Sequence, residues 1–293
     1  MKKILFATDF SKNAEKAFHF ALKIAEKHKA DLVILHVFES PPVWGHPYIT
    51  DPEEMARQAN IGLESNLQEF FEQFTSDIQP TCIAVENASV VKGMLSVIKE
   101  HEPNLVVMGT RGKSRLKEIF VGSTTKAMVK QSPAPVLAIP ENAIFRDIEK
   151  VLYASDLKKI DLEALDQLVE MVKPYKPDIR IIHVSTDEEE KGSEKMEWFK
   201  KLVKDHISYK KVSFELLLSD KIFGRLNNYM KLYDFDMMVM LEKERYGIVE
   251  KLFHEDLVSK MKLHNSIPLL SYNEHFLHAT DNKDIKNSDA VEY

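Results

Sequence analysis

The chain has 293 residues, 44% of them hydrophobic and 29% charged, which is enough for packed cores and more than one average domain, so two domains are expected. A formal net charge of −6 argues against a nucleic-acid partner, no apolar run approaches the length of a membrane span, and a single cysteine, Cys82, excludes an intrachain disulfide. The opening MKKILFATDFS carries two lysines and an apolar stretch, but Asp9 interrupts a run too short for a signal peptide, so it reads as the first strand of a cytoplasmic protein.

Ile4 to Ala7 is an apolar run without alternation, as in a parallel strand covered on both faces. Thr8-Asp9 ends it, and Ser11 is placed to cap a helix carrying Ala14, Ala17, Phe18, Ala21, Leu22 and Ala25 at helical spacing. Leu32 to Phe38 is a second strand. Ser40 to Glu54, with four prolines and a glycine, reads as a long surface loop, in which Trp44 is either a cover for a ligand or an anchor for the loop. A helix follows with Leu63, Leu67, Phe70, Phe71 and Phe74 on one core-facing stripe. Thr81 to Val85 is a third strand, and Cys82 reads as a buried residue of it. Ser89 caps a helix carrying Val90, Met94, Leu95 and Ile98, which ends before Pro103. Leu105 to Met108 is a fourth strand, a helix runs from Ser123 to Ser132, and Val136 to Ile139 is a fifth strand. This strict alternation implies right-handed crossovers and an α/β layered domain with a mainly parallel sheet, although strand order does not follow from it.

The second half repeats the plan. ILFATDFS recurs as VLYASDLK and LVILHV as IRIIHV, so that Asp9 corresponds to Asp156 and His36 to His183. LVVMGT corresponds to MMVMLE and SPAPVLAIP to NSIPLLSY. Four matched segments in the same order indicate a tandem duplication. The expected organisation is a first domain over 1–140, a linker over 141–147, a second domain over 148–272 and a polar tail over 273–293. Because the two histidines occupy equivalent positions, a packing role is expected of them rather than a catalytic one.

The stretch with the strongest chemical signal is NLVVMGTRGKSRLKEIFVGS, Asn104 to Ser123. The fourth strand ends at Gly109, Gly112 follows, and Gly122-Ser123 opens a helix. Glycines allow φ > 0 and close approach of backbone N–H groups to an anion, and the free N–H groups of a helix start add donors and partial positive charge. Within the spacer, Arg111, Lys113, Arg115 and Lys117 either face solvent or neutralise phosphate, and Arg111 is the best placed for the second role. There is no Walker-type phosphate loop, no nucleophile elbow and no zinc-ligand spacing.

With its Gly-x2-Gly-x9-Gly-Ser spacing, the Asp after the first strand, a second strand ending His36-Val37 and the SPAPVLAIP segment, the chain resembles a tandem protein of the universal stress protein family. The resemblance implies two Rossmann-like, doubly wound domains with five-stranded, mainly parallel sheets. It further implies that the last strands, Val136–Ile139 and Pro268–Ser271, join the halves as an internal pseudo-dimer. It implies an ATP or AMP site in which Asp9 contacts the ribose or adenine side and the Val37 backbone reads the adenine edge. Gly109, Gly112, Gly122 and Ser123 would wrap the phosphates, with Thr8, Met108, Arg111 and Thr124 among the binding residues. Mg²⁺ or Mn²⁺, if used, would be held through the phosphates and water.

Two departures stand out. Glu86-Asn87-Ala88 occupies a place where the family often has a Gly-x-Pro-like segment. In the second half, Leu241, Glu244, His254 and Glu255 replace the three glycines and the serine, so no triphosphate site is expected there. The leading expectation is a stress-response binding module that senses adenine nucleotide and passes the signal to an unidentified protein partner, with a homodimer also open. A slow ATPase at the same pocket and a scaffold without nucleotide are the alternatives.

Overall fold

The computed structural model describes residues 1–39, 52–110, 122–185, 189–242, 266–274 and 277. In the first half, β1 (Lys3–Ala7), α1 (Lys12–His28), β2 (Asp31–Phe38), α2 (Pro52–Glu72), β3 (Thr81–Glu86), α3 (Val90–His101), β4 (Leu105–Gly109), α4 (Ser123–Gln131) and β5 (Val136–Ile139) follow in strict alternation. The second half supplies β6 (Lys150–Ala154), α5 (Ile160–Val172), β7 (Asp178–Ser185), α6 (Glu189–His206), β8 (Val212–Leu218), α7 (Ile222–Tyr233), β9 (Met237–Glu242) and β10 (Leu269–Asn273). The fold class expected from the sequence is therefore found.

The described strands form one ten-stranded sheet in the order β3-β2-β1-β4-β5-β10-β9-β6-β7-β8. Within each half every pairing is parallel, and the halves meet where β5 runs antiparallel to β10. Leu137 stands opposite Leu270 at this seam. They are equivalent residues of the two halves, as an internal two-fold requires. The register is alike in the two halves, consistent with a tandem form: Ile4 pairs with Leu32 and Leu105, and Val151 pairs with Ile179 and Met237. The pairing of the last strands expected from the resemblance is thus present.

The strands are apolar on both faces because helices cover both faces. One core joins α1, α2, α5 and α6 to the sheet through residues such as Phe6, Phe18, Phe70, Tyr153 and Phe199. The opposite core joins α3, α4 and α7 through Leu5, Met94, Met128, Leu226 and Met238. In the stripe on α2, Leu67, Phe70 and Phe71 are buried, and Phe74 packs at the core's edge with its ring centroid 4.6 Å from that of Phe18.

Several local expectations shift. Pro52 begins α2 rather than ending a loop, since a proline at the first helical position forfeits an N–H that would have no intrahelical partner. Residues 40–51 of the Pro-rich segment, Trp44 included, lie outside the described residues. Cys82 is half-buried rather than buried, with its Sγ 3.7 Å from Gln68 Oε1, and burial pushes its thiol pKa up. Asn273 belongs to β10 and is buried, as is Leu277, so the polar tail does not start where composition alone put it. Among the described residues no helix is long and apolar enough to cross a membrane.

Candidate functional site

In each half the sheet reverses its direction of winding between the first and fourth strands. The chain leaves β1 toward β2 and leaves β4 toward β5, which opens a crevice at the carboxyl ends of β1 and β4. In the first half this crevice is a cleft of about 320 Å³ lined by Ala7, Thr8 and Asp9 after β1, Leu35 and Val37 on β2, Val90 and Met94 on α3, Met108 and Gly109 on β4, and Gly122 to Thr125 at the start of α4.

The turn after β1 is built locally. Thr8 Oγ1 accepts from the Phe10 N–H at 3.0 Å, Asp9 Oδ1 from the Ser11 N–H at 3.1 Å, and Ser11 Oγ from the Ala14 N–H at 3.2 Å. Phe10 takes the left-handed conformation, with φ 59°, at a cost of about 1 kcal/mol. Its ring lies 4.7 Å from that of His36, whose Nδ1–H donates to the Thr8 carbonyl at 2.8 Å. In the second half Leu157 repeats the left-handed turn, with φ 56°, and His183 Nδ1 repeats the bond to the Ser155 carbonyl at 2.8 Å. The histidines therefore hold strand ends, as their equivalence suggested. Asp9 also acts in the turn while lining the cleft.

On the other side, the Gly122 N–H donates to the Thr110 carbonyl at 2.7 Å, joining the chain where it leaves β4 to where it returns. Gly122 is the N-cap of α4 and no side chain caps this end. The first helical bond is Lys126 N–H to the Gly122 carbonyl, so the Ser123, Thr124 and Thr125 N–H groups precede the ladder. No acidic side chain occupies the first turn of α4. Thr125 Oγ1 donates to the Gly109 carbonyl at 3.0 Å and pins the helix start to the end of β4. The expected positive φ is not the reason for glycine at position 122, where φ is −62° and ψ 156°. Among the described residues a Cβ there would meet only the Thr110 carbonyl oxygen, at 3.4 Å.

Eight of the ten candidate residues read from the sequence line this cleft: Thr8, Asp9, Val37, Met108, Gly109, Gly122, Ser123 and Thr124. Arg111 and Gly112, with Lys113, Arg115 and Lys117, lie outside the described residues. Sequence reading missed Ala7, Ala14, Leu35, Val90, Met94 and Thr125 as lining residues. Their apolar periodicity marked core faces, and only the sheet order brings those faces to the crevice. The departure at Glu86-Asn87-Ala88 forms a turn into α3, with Asn87 Oδ1 accepting from the Ser89 N–H at 2.9 Å.

The equivalent positions of the second half are built differently. Ala14 corresponds to Asp161, which is 1% exposed; its Oδ2 accepts from the Lys158 N–H at 2.9 Å and its Oδ1 from the Tyr153 hydroxyl at 3.1 Å. Burial, together with the Asp161 carboxylate, drives the Tyr153 pKa well above its usual range. Gly109 corresponds to buried Leu241 and Thr110 to buried Glu242. Glu244, His254 and Glu255 lie outside the described residues. Among the described residues no group of three or more His, Cys, Asp or Glu could hold a metal. Among the described residues Asp9 is the only carboxylate lining the first-half cleft.

A doubly wound half-sheet with a helix start facing its switch point defines a class of small-ligand-binding α/β domains. Residues 1–140 match the model of the Universal stress protein family. The chain is similar to a universal stress protein of Methanocaldococcus jannaschii, 24% identical over 152 residues that span 47% of this chain and 94% of that protein. It is also similar to one of Thermus aquaticus, 28% identical over 144 residues that span 47% of this chain and 98% of that protein. Across both halves it shares its fold with a universal stress protein of Archaeoglobus fulgidus, with a TM-score of 0.61 at 15% identity, covering 92% of this chain and 98% of the other. The first 140 residues are thus similar to the universal stress protein family.

Proposed function

We propose that the first-half cleft binds one adenine nucleotide, ATP or AMP, and that the chain serves as a cytoplasmic nucleotide-sensing module in stress response. The observation that carries this reading is the composition of the cleft. One end is an uncapped helix start with three donors and no acid. The other is an apolar wall of Leu35, Val37, Val90 and Met94. An anion suits the first and a flat, weakly polar base suits the second. Asp9, which lines the cleft, would accept hydrogen bonds from a ribose. In this division, 1–140 is the nucleotide-binding domain, 141–147 the linker and 148–272 a degenerate partner domain. Asp161 and Leu241 take up space in the second half that Ala14 and Gly109 leave open in the first.

Among the described residues the cleft lining holds no cysteine, histidine or lysine, and Asp9 is tied into the turn after β1. Calorimetry with Mg-ATP and with AMP is expected to give about one site per chain. Gly122→Leu should weaken binding by about 100-fold or more while far-UV circular dichroism stays unchanged, because the side chain would stand in front of the helix donors that the anion must reach. Unaltered binding in that variant would remove the helix start from the site. Turnover of ATP that disappears in Asp9→Ala would convert the binding module into an enzyme.

A further inference from the structure

We propose that Asn273, contributed by the second half, is a positioning residue for the phosphate-facing helix of the first half, so that nucleotide affinity in one half depends on the other. The nucleotide part of this statement rests on the function proposed above; the positioning part rests on the geometry of α4 alone.

The C-terminal end of α4 has a specific hydrogen-bonding deficit. The Val129 carbonyl would ordinarily accept from the residue four positions on, but that residue is Pro133, which has no N–H. The Lys130 carbonyl would accept from Ala134, but the Ala134 N–H is directed to Ser132 Oγ at 3.2 Å. The side chain of Asn273 reaches both. Its Nδ2 donates to the Val129 carbonyl at 3.4 Å and to the Lys130 carbonyl. Asn273 is 4% exposed, an environment in which a primary amide is costly unless its hydrogen bonds are made. The partners are 144 and 143 residues away in sequence, so this cap is a contact between the two halves.

The arrangement is one-sided. By strand register, Gly109 pairs with Ile139 and its equivalent Leu241 pairs with Tyr272, which makes Pro140 the first-half equivalent of Asn273. Proline offers no side-chain donor, so the first half cannot return the contact in kind. The half with the open cleft thus receives the cap, and the half with the filled one provides it.

The connection to the cleft is mechanical. Helix α4 has only nine residues, about 13 Å of rise, and its other end presents the Ser123 to Thr125 N–H groups to the cleft. A rod this short transmits tilt: freeing its C-terminal end lets its N-terminal donors drift from the positions that an anion must match. A carboxylate at position 273 would also set negative charge against the negative end of the helix dipole.

The test uses the full chain and compares N273A, N273D and, as a control of the seam alone, L270V. Leu270 is buried at the β5–β10 junction and contacts neither carbonyl through a polar group. Amide hydrogen exchange without nucleotide is expected to show Ser123–Gln131 exchanging roughly tenfold faster in N273A and faster still in N273D, with α1 and α3 unchanged. Mg-ATP affinity by calorimetry should fall by roughly tenfold in N273A. L270V should lower the melting temperature without selectively exposing α4. The proposal is overturned if α4 exchanges no faster in N273A and N273D than in L270V, or if all first-half helices loosen together. A wild-type chain that binds neither ATP nor AMP would sink the nucleotide reading, and the exchange pattern would still decide the positioning role of Asn273.

Discussion

Gly62 and Gly93 both sit inside helices, and their surroundings predict opposite responses to the same substitution. A Cβ at Gly62 on α2 meets nothing within 4 Å, so Gly62→Ala should raise stability by about 0.5–1 kcal/mol through reduced backbone freedom in the unfolded chain. A Cβ at Gly93 on α3 would stand 2.6 Å from Val37 Cγ1, and Val37 is a buried, β-branched residue with little freedom to yield. Gly93→Ala should therefore cost roughly 1–3 kcal/mol despite its better helix propensity, and should weaken nucleotide binding because Val37 forms the cleft wall. Urea unfolding of the two variants, read side by side, checks both. These distinctions were not legible in the sequence, where both residues are single glycines in helical patterns. The glycines at 109 and 122 were legible as a site because their spacing joined a strand end to a helix start. Thr125 and Met94 were not, because their place in the cleft comes from packing between elements far apart in the chain.

Helices α1 and α5 meet on one face of the sheet, and their contact carries a pH dependence. The ring of His28, near the end of α1, lies 6.2 Å from that of Tyr175, its equivalent in the second half. Burial holds the His28 imidazole below its usual pKa, and burial does the same to His183. Both rings therefore bind a proton less readily in the folded state than in the unfolded one. Their stabilising contribution is complete above about pH 6.5 and is lost as pH falls through that value toward the folded-state pKa. The melting temperature should be lower at pH 5.5 than at pH 7.5, and His28→Gln should narrow the difference; an unchanged difference would leave His28 without a part in it. The existence and order of these elements followed from apolar runs and helical spacing. Their neighbours in the sheet did not, since strand order is set by non-local pairing that no local pattern encodes. Asn273 shows the same limit: its surroundings in sequence are polar, and its function depends on carbonyls in the other half.

At the scale of the molecule, the seam between β5 and β10 replaces two exposed sheet edges with one buried junction. Val136 to Ile139 are at most 1% exposed and apolar throughout. A chain ending after residue 140 would present that strand as an unpaired apolar edge, which invites pairing with a second copy. Light scattering on such a fragment is expected to give a dimer rather than a monomer, whereas Leu137→Lys in the same fragment should shift it toward monomer. Residues 141–147 contribute more than length. Arg146 bridges to Asp236 at 2.8 Å and to Asp234 at 3.0 Å, and the Ala143 side chain is buried. Arg146 and Asp234 are exposed, so this bridge is expected to contribute no more than about 1 kcal/mol.

Asn273 gives the covalent fusion of the halves a consequence for dilution. When a helix cap is supplied by a separate subunit, it is lost as protein concentration falls below the dimer dissociation constant, and anything the cap supports is lost with it. Here the capping residue is tethered to the helix that it serves, at a local concentration fixed by the chain rather than by expression level. Nucleotide affinity and melting temperature should therefore hold constant from micromolar to low nanomolar protein, a range over which a two-chain assembly of the same architecture would progressively lose its partner.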